Sequence, residues 1–228
     1  MTLELNEEQL MLKESVDNFI TREYSFEQRR DALALDVPLR NDVWLQFAEL
    51  GWLGAGISEE AGGFGGSAIE HMVICEGLGR AMALEPFIST AVIGAHALEL
   101  ADDRTRAQEI IAKLIAGEWR CALAYAEVGA RYDLHHVTTS ARTQGNVTVL
   151  NGEKLAVLDA PSATTLIVAA RAEGGSRDAH GIGLYLVDTD ATELDVHAYQ
   201  TVDGRHAANV RFADCPAQVL VAPERGLE

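Results

Sequence analysis

A chain of 228 residues, 48% hydrophobic and 23% charged, carries ample apolar material for a buried core and suits one large or two small domains of an ordinary soluble protein. With Lys+Arg 18 against Asp+Glu 35, a net charge of -17 and no visible basic patch, the surface repels a phosphate backbone, which argues against nucleic-acid binding. The longest apolar stretches, such as residues 91–100 broken by His96, are too short to span a bilayer, and residues 1–8 lack a basic and apolar signal pattern, so no membrane span and a cytoplasmic location are expected.

The first half reads as helices. Asn6 is a good N-cap with Gln9 three residues on, and Leu5 and Leu10 occupy the positions of a hydrophobic staple. Leu12, Val16, Phe19 and Ile20 then recur at helical spacing, leaving Glu14, Asp17 and Arg22 toward water. A second helix is expected to begin at Asn41, to carry Val43, Trp44, Phe47 and Leu50 on one face, and to stop at Gly51, with Trp52 and Leu53 covering its end. After a loop over residues 58–66, Ser67 and Glu70 form a capping-box pattern that opens a helix through Ile69, Met72, Val73 and Glu76. Two more apolar helical stretches follow, over residues 87–100 and 105–116, the latter holding Ile110, Ile111, Leu114 and Ile115 and ending at Gly117.

Beyond Trp119 the periodicity changes. Residues 121–127, 138–142, 147–150, 154–158, 166–170 and 184–187 are short and strand-like. Asn151 and Gly152 lie between two of these runs and tolerate the positive φ of a type I′ turn, which predicts a hairpin there. Helices followed by strands argue for segregated domains, a helical one over residues 1–118 and a β one over residues 119–228.

Local motifs alone name no chemistry. Cys75, Cys121 and Cys215 are far apart and read as reduced thiols, and the seven histidines lack zinc spacing, so no metal site is expected. The Gly62, Gly63, Gly65, Gly66 run resembles a phosphate loop only superficially, since no strand precedes it and no Lys-Ser/Thr follows; a tight interhelical loop is the simpler reading. Carboxylates are plentiful, but the sequence does not reveal which is buried and tuned as a base, and no serine nucleophile elbow is present.

Three segments, in order, go further. Residues 47–67, FAELGWLGAGISEEAGGFGGS, resemble the helix-loop-helix signature of acyl-CoA dehydrogenases, of the LGELGLLG-x-x-x-PEEYGGLG type. Residues 121–134, CALAYAEVGARYDL, are similar to the family's A-x-T-E-P-x-A-G-S-D strand and loop, and residues 150–155, LNGEKL, to the L-N-G-x-K that precedes its flavin-contacting W-I-T/S. Order and separation agree, so the resemblance covers essentially the whole chain.

The resemblance implies an α+β fold: an N-terminal all-helical domain, then an antiparallel β-barrel-like domain, with the family's C-terminal helical bundle and its catalytic Glu lying beyond this sequence. No catalytic residue is therefore assigned here, and the chain alone is expected to show no turnover. The implied reaction is oxidation of an acyl-CoA to the 2,3-enoyl-CoA: a buried carboxylate takes the α proton while the β hydride passes to FAD. Electrons then leave to an electron-transferring flavoprotein, and the protein works as a homo- or hetero-oligomer. By the same resemblance Leu123, Tyr125, Ala126, Tyr132, Ala156 and Leu158 occupy cofactor-facing positions. Ala126 stands where a flavin-bonding Thr is usual, Tyr132 where a Ser is, Ala156 in place of the Trp that packs on the flavin, and Leu158 in place of its hydroxyl neighbour. Each lost hydrogen bond to a buried polar group costs about 1–3 kcal/mol, so flavin affinity should fall. The alternative is a non-catalytic, flavin-poor subunit or binding module that pairs with an active homologue.

Overall fold

Hydrogen bonding at the chain's own turns starts and stops the helices. In the computed structural model, which describes residues 4–35, 37–145 and 147–227, α1 (Glu7–Glu23) opens on a complete capping box. Gln9 N–H donates to Asn6 Oδ1 at 2.8 Å and Asn6 N–H to Gln9 Oε1 at 3.0 Å. Val16 and Phe19 turn inward as expected, whereas Leu10 stays 52% exposed, so the anticipated staple buries little. A helix that the apolar pattern does not predict, α2 (Phe26–Ala34), opens on a second box formed by Ser25 and Gln28. α3 (Asn41–Glu49) stops as expected at Gly51, whose φ of +75° suits glycine, and a single 3-10 turn at Trp52–Gly54 buries Trp52 and Leu53 completely. Edge-on contacts tie Phe19 to Phe47 and to Trp52, at centroid distances of 5.6 and 5.3 Å.

Ser67 and Glu70 cap α4 (Ala68–Ala81), which lies against α1 at Gly77, where a Cβ would meet Val16 Cγ1 at 2.2 Å. The stretch expected as one regular helix instead begins with a wide π-helical segment, Ile88–Gly94, and tightens into α5 (Ala95–Glu99). α6 (Arg104–Ile115) ends before Gly117, at φ +77°.

The second half closes into a barrel. β1 (Cys121–Ala124), β2 (Ser140–Gln144), β3 (Val147–Leu158), β4 (Thr165–Arg171), β5 (Ile182–Asp188), β6 (Leu194–Gln200) and β7 (His206–Val221) follow in chain order. β2, β3, β7, β5 and β4 form a closed circuit, with β6 attached to the outer edge of β7. Pairing is antiparallel except along β4, where β1 and the single pair Ser140–Arg171 run parallel. Every residue of β4 is buried. Leu166, Val168 and Ala170 fill the barrel, while Ile167 joins Leu186, Leu220 and Val221 in the core beneath the helices. β4 is thus sandwiched between two apolar layers, which explains its unbroken apolar run.

The expected hairpin at Asn151 and Gly152 is absent. β3 runs straight through both, and the reversal comes earlier, with Gln144 paired to Val147. Asn151 exchanges two hydrogen bonds with Asp214 across the sheet, Nδ2 to Oδ1 at 2.8 Å and Asp214 N–H to Oδ1 at 3.0 Å. Gly152 lies at a register shift with φ +150°, where a Cβ would sit 2.6 Å from Thr139 Cα. Close approach of a neighbouring strand, not a turn, demands this glycine.

Helices and barrel meet along a polar seam set in an apolar interface. Ser89 Oγ donates to Asp159, and Cys121 N–H donates to Thr90 Oγ1 at 3.2 Å. Gly94 lets the helix lie directly on Cys121, since a Cβ there would be 2.2 Å from Sγ.

Candidate functional site

At one end of the barrel, the loop after β1 folds over the second half of β3. A buried ion pair fixes the arrangement. Glu127 Oε1 lies 2.6 Å from Lys154 Nζ, with side chains 2% and 0% exposed. Glu127 also accepts N–H bonds from Thr138 at 2.7 Å and Thr139 at 3.0 Å, and the Thr138 hydroxyl. Lys154 Nζ spends a further proton on Tyr125 O at 3.3 Å. Burial alone would raise the Glu127 carboxyl, but the Lys154 charge and these donors outweigh it and hold it down to about 2. Burial pulls the Lys154 ammonium down, against the opposing pull of Glu127. The spacing of 27 residues between them hid this pair from the sequence, although both belong to the motifs quoted above.

The pair supports a ledge that contains four of the six cofactor-facing candidates. Leu155 N–H donates to Ala126 O at 2.8 Å, bringing Tyr125 and Ala126 beside Ala156. β3 bulges between Lys154 and Val157, so Ala156 adopts φ +49° and donates its N–H to Asn209 Oδ1 at 3.1 Å. Leu158 pairs with Ala207 and remains half exposed, as does Tyr125. Leu123, by contrast, packs toward the helical core and not onto the ledge. Tyr132 is fully exposed and joins none of these contacts among the described residues.

Leu158 leads directly into Asp159, buried in a left-handed conformation at φ +63°. Burial raises its carboxyl, opposed by Arg205 and by the Ser89 hydroxyl, both of which donate to it. No sequence pattern marked this cluster. Its three members come from the π-helical segment, the end of β3 and the β6–β7 turn.

The donor set decides what the ledge side chains can hold. Ala126, Ala156 and Leu158 offer no side-chain hydrogen bond, and the two phenols are half or fully in solvent. These side chains do not fit a flavin gripped by hydroxyl contacts at these positions. They present an apolar, partly exposed surface on a rigid polar base.

Two family models match in order, acyl-CoA dehydrogenase N-terminal domain over residues 6–118 and acyl-CoA dehydrogenase middle domain over residues 122–215. The mitochondrial isovaleryl-CoA dehydrogenase of Pongo abelii is 29% identical over 238 residues, covering 96% of this chain and 54% of its own length. A variant of the Tcur3481-Tcur3483 steroid ACAD superposes with TM-score 0.83 at 25% identity, covering 94% of this chain and 57% of that one. An acyl-CoA dehydrogenase from Bacillus anthracis, solved in complex with FAD, superposes with TM-score 0.86 at 22% identity, covering 98% of this chain and 40% of that one. The chain therefore spans about half the length of the relatives it matches, between 40% and 57% of the three above. Among the described residues no helix is long and apolar enough to cross a membrane.

Proposed function

Because this chain belongs to the acyl-CoA dehydrogenase family, whose cofactor is FAD, we propose that the protein containing it takes part in α,β-dehydrogenation of an acyl-CoA, within an oligomer that passes electrons to an electron-transferring flavoprotein. The observation that carries this reading is the ledge at the barrel end. The two segments that the family resemblance would set beside the flavin are brought together there by two hydrogen bonds, Leu155 N–H to Ala126 O and Lys154 Nζ to Tyr125 O, and pinned by one buried ion pair. The same reading divides the chain into a helical domain over residues 1–118 and a β domain over residues 119–228, supported by the break between Ile115 and Cys121.

A second reading concerns this chain's own part in that reaction. The aliphatic set Ala126, Ala156 and Leu158 favours a flavin-poor subunit that keeps the fold and pairs with an active homologue. The Tcur3481-Tcur3483 steroid ACAD, whose name joins two components, supports a two-chain arrangement.

One preparation separates the readings. The complete encoded protein is purified alone and after coexpression with a homologous chain, and its visible spectrum is recorded before and after an acyl-CoA is added without oxygen. Flavin absorption that bleaches in the protein alone supports a self-sufficient dehydrogenase. A colourless protein that yields a bleaching flavoprotein only with its partner supports the second reading. Absence of flavin from both preparations overturns the proposal.

A further inference from the structure

Residues 125–139, between β1 and β2, belong to no strand or helix, so their buried main-chain groups need partners elsewhere. Two buried side chains of opposite charge supply them. Glu127 accepts the Thr138 and Thr139 N–H groups. Arg171, the last residue of β4 and 7% exposed, supplies the complement. Its Nε donates to Val137 O at 3.0 Å, and its Nη2 to His135 O at 2.9 Å and Asp178 O at 3.1 Å. Its Nη1 donates to His180 O at 2.8 Å and Glu173 O at 3.3 Å. A guanidinium carries about five N–H donors in a planar fork, and here each one meets a main-chain carbonyl.

These acceptors come from two segments. His135 and Val137 lie in the loop that follows the ledge residues Tyr125 and Ala126, whereas Glu173, Asp178 and His180 lie in the β4–β5 connection. Two further contacts stitch the segments together. Val137 N–H donates to Ser176 O at 3.0 Å, and Arg177 Nη1 lies 3.3 Å from Asp133 Oδ2 at the surface. The loop is thus anchored from behind, yet its outward side chains Val128, Tyr132 and Leu134 are apolar or aromatic and exposed.

An exposed loop beside a site is ordinarily a candidate lid, because few buried contacts hold it and it opens at little cost. The contacts here argue the reverse. Moving residues 135–139 away would strip Arg171 of two acceptors and Glu127 of two N–H donors, all in the interior.

We propose that residues 128–137 form a preset rim and not a closing lid, and that Arg171 is the positioning residue of that rim. The clamp acts through carbonyls of the main chain, so it depends on the guanidinium's shape as well as its charge. It belongs to the chain itself and holds whether or not flavin binds.

Amide hydrogen exchange of the whole chain, read by mass spectrometry of peptic fragments, tests the rim without any ligand. In the parent, amides of residues 136–139 should exchange at least a hundredfold more slowly than in an unstructured peptide. Exchange within threefold of that peptide would mark a lid and overturn the proposal. Arg171→Lys keeps the charge but loses the planar fork. It should speed exchange at least tenfold over residues 135–139 and 173–180 and leave fragments of α1 and α3 within twofold of the parent. Arg177→Ala, which removes only the exposed ion pair, should stay within twofold throughout. In Arg171→Ala, guanidinium well below its unfolding range should restore most of the lost protection, and ammonium at equal concentration should not. If Arg171→Ala does not fold, Arg171→Lys decides alone. Uniform acceleration over helices and barrel in Arg171→Lys would make Arg171 a general stabilising residue and overturn its positioning role, as would no acceleration at all.

Discussion

Two buried glutamates receive opposite treatment. Glu127 is paired with Lys154, accepts from two backbone N–H groups and a hydroxyl, and is driven toward its charged form; Glu85 is desolvated, has no cation in ion-pair contact among the described residues, and is driven toward its neutral form. The first is a fastening that fixes two segments of backbone. The second stays desolvated beside the Tyr24 hydroxyl, with no paired cation to hold its charge. The same side chain is thus held charged in one place and pushed toward neutral in the other, and what decides is whether a paired cation offsets burial.

The contrast is broken most directly by Lys154→Met, which strands the Glu127 charge in the interior. Loss of one partner of a buried pair costs about 3–5 kcal/mol, to be read from urea unfolding, whereas Lys154→Met combined with Glu127→Gln, which removes the stranded charge and keeps an acceptor for the Thr138 and Thr139 N–H groups, should recover part of that loss. If the single and double variants are equally unstable, the pair is not what fixes the ledge.

The pH dependence sharpens the contrast next, because the two groups act with opposite sign. Glu127 titrates lower in the folded chain than its ordinary 4.5, so its contribution is complete above 4.5 and is lost as pH falls toward about 2. Glu85 and Asp159 are raised, so theirs is complete below the ordinary carboxylate range and lost as pH rises through their folded values. Denaturation midpoints from acid to neutral pH should therefore lose part of their acid slope in Glu127→Gln, the rest coming from Asp17, Glu70 and Asp203, which are lowered too, and part of their neutral-side decline in Glu85→Gln. Glu85→Gln should be more stable than the parent at neutral pH, by an amount smaller than the Lys154→Met loss.

Smaller effects probe the backbone around the fastening. Gly152→Ala forces a Cβ toward Thr139 Cα and should cost about 1–3 kcal/mol by thermal or urea unfolding. Ala156→Gly relieves a left-handed alanine at the bulge; the gain is partly offset by glycine's chain entropy, leaving a net stabilisation of about 0.5 kcal/mol.

What the sequence disclosed follows the range of the forces involved. Asn6, Ser67, Gly51 and Gly117 act within one helical turn of themselves, and the helix ends they announce are where they were expected. α2 escaped because Phe26 is 64% exposed and only Arg29 and Ala32 turn inward, so it lacks an apolar stripe; the Ser25–Gln28 box was the available signal. β6 shows no alternation because nearly every residue faces water, and β7 is an alanine-rich strand containing Pro216. Gly152 misled because a glycine forced by crowding and one forced by a turn look alike in one dimension. At the candidate site, the family motifs located the ledge, and their order brought Ala126 and Ala156 together. The Glu127–Lys154 and Asp159–Arg205 pairs join residues 27 and 46 positions apart, which no local pattern reveals.

The seam between the π-helical segment and β1 bears on how the molecule comes apart. Ile167, Leu186, Leu220 and Val221 of the barrel belong to the same apolar cluster as Trp44, Phe47 and Trp52 of the helices. Pulling the halves away from each other would strip that cluster and leave Thr90 and Cys121 without their mutual bonds, which couples the unfolding of one half to the other. Melting should be cooperative, one calorimetric peak for the whole chain, and protease cleavage of the connection after α6 should release no folded fragment.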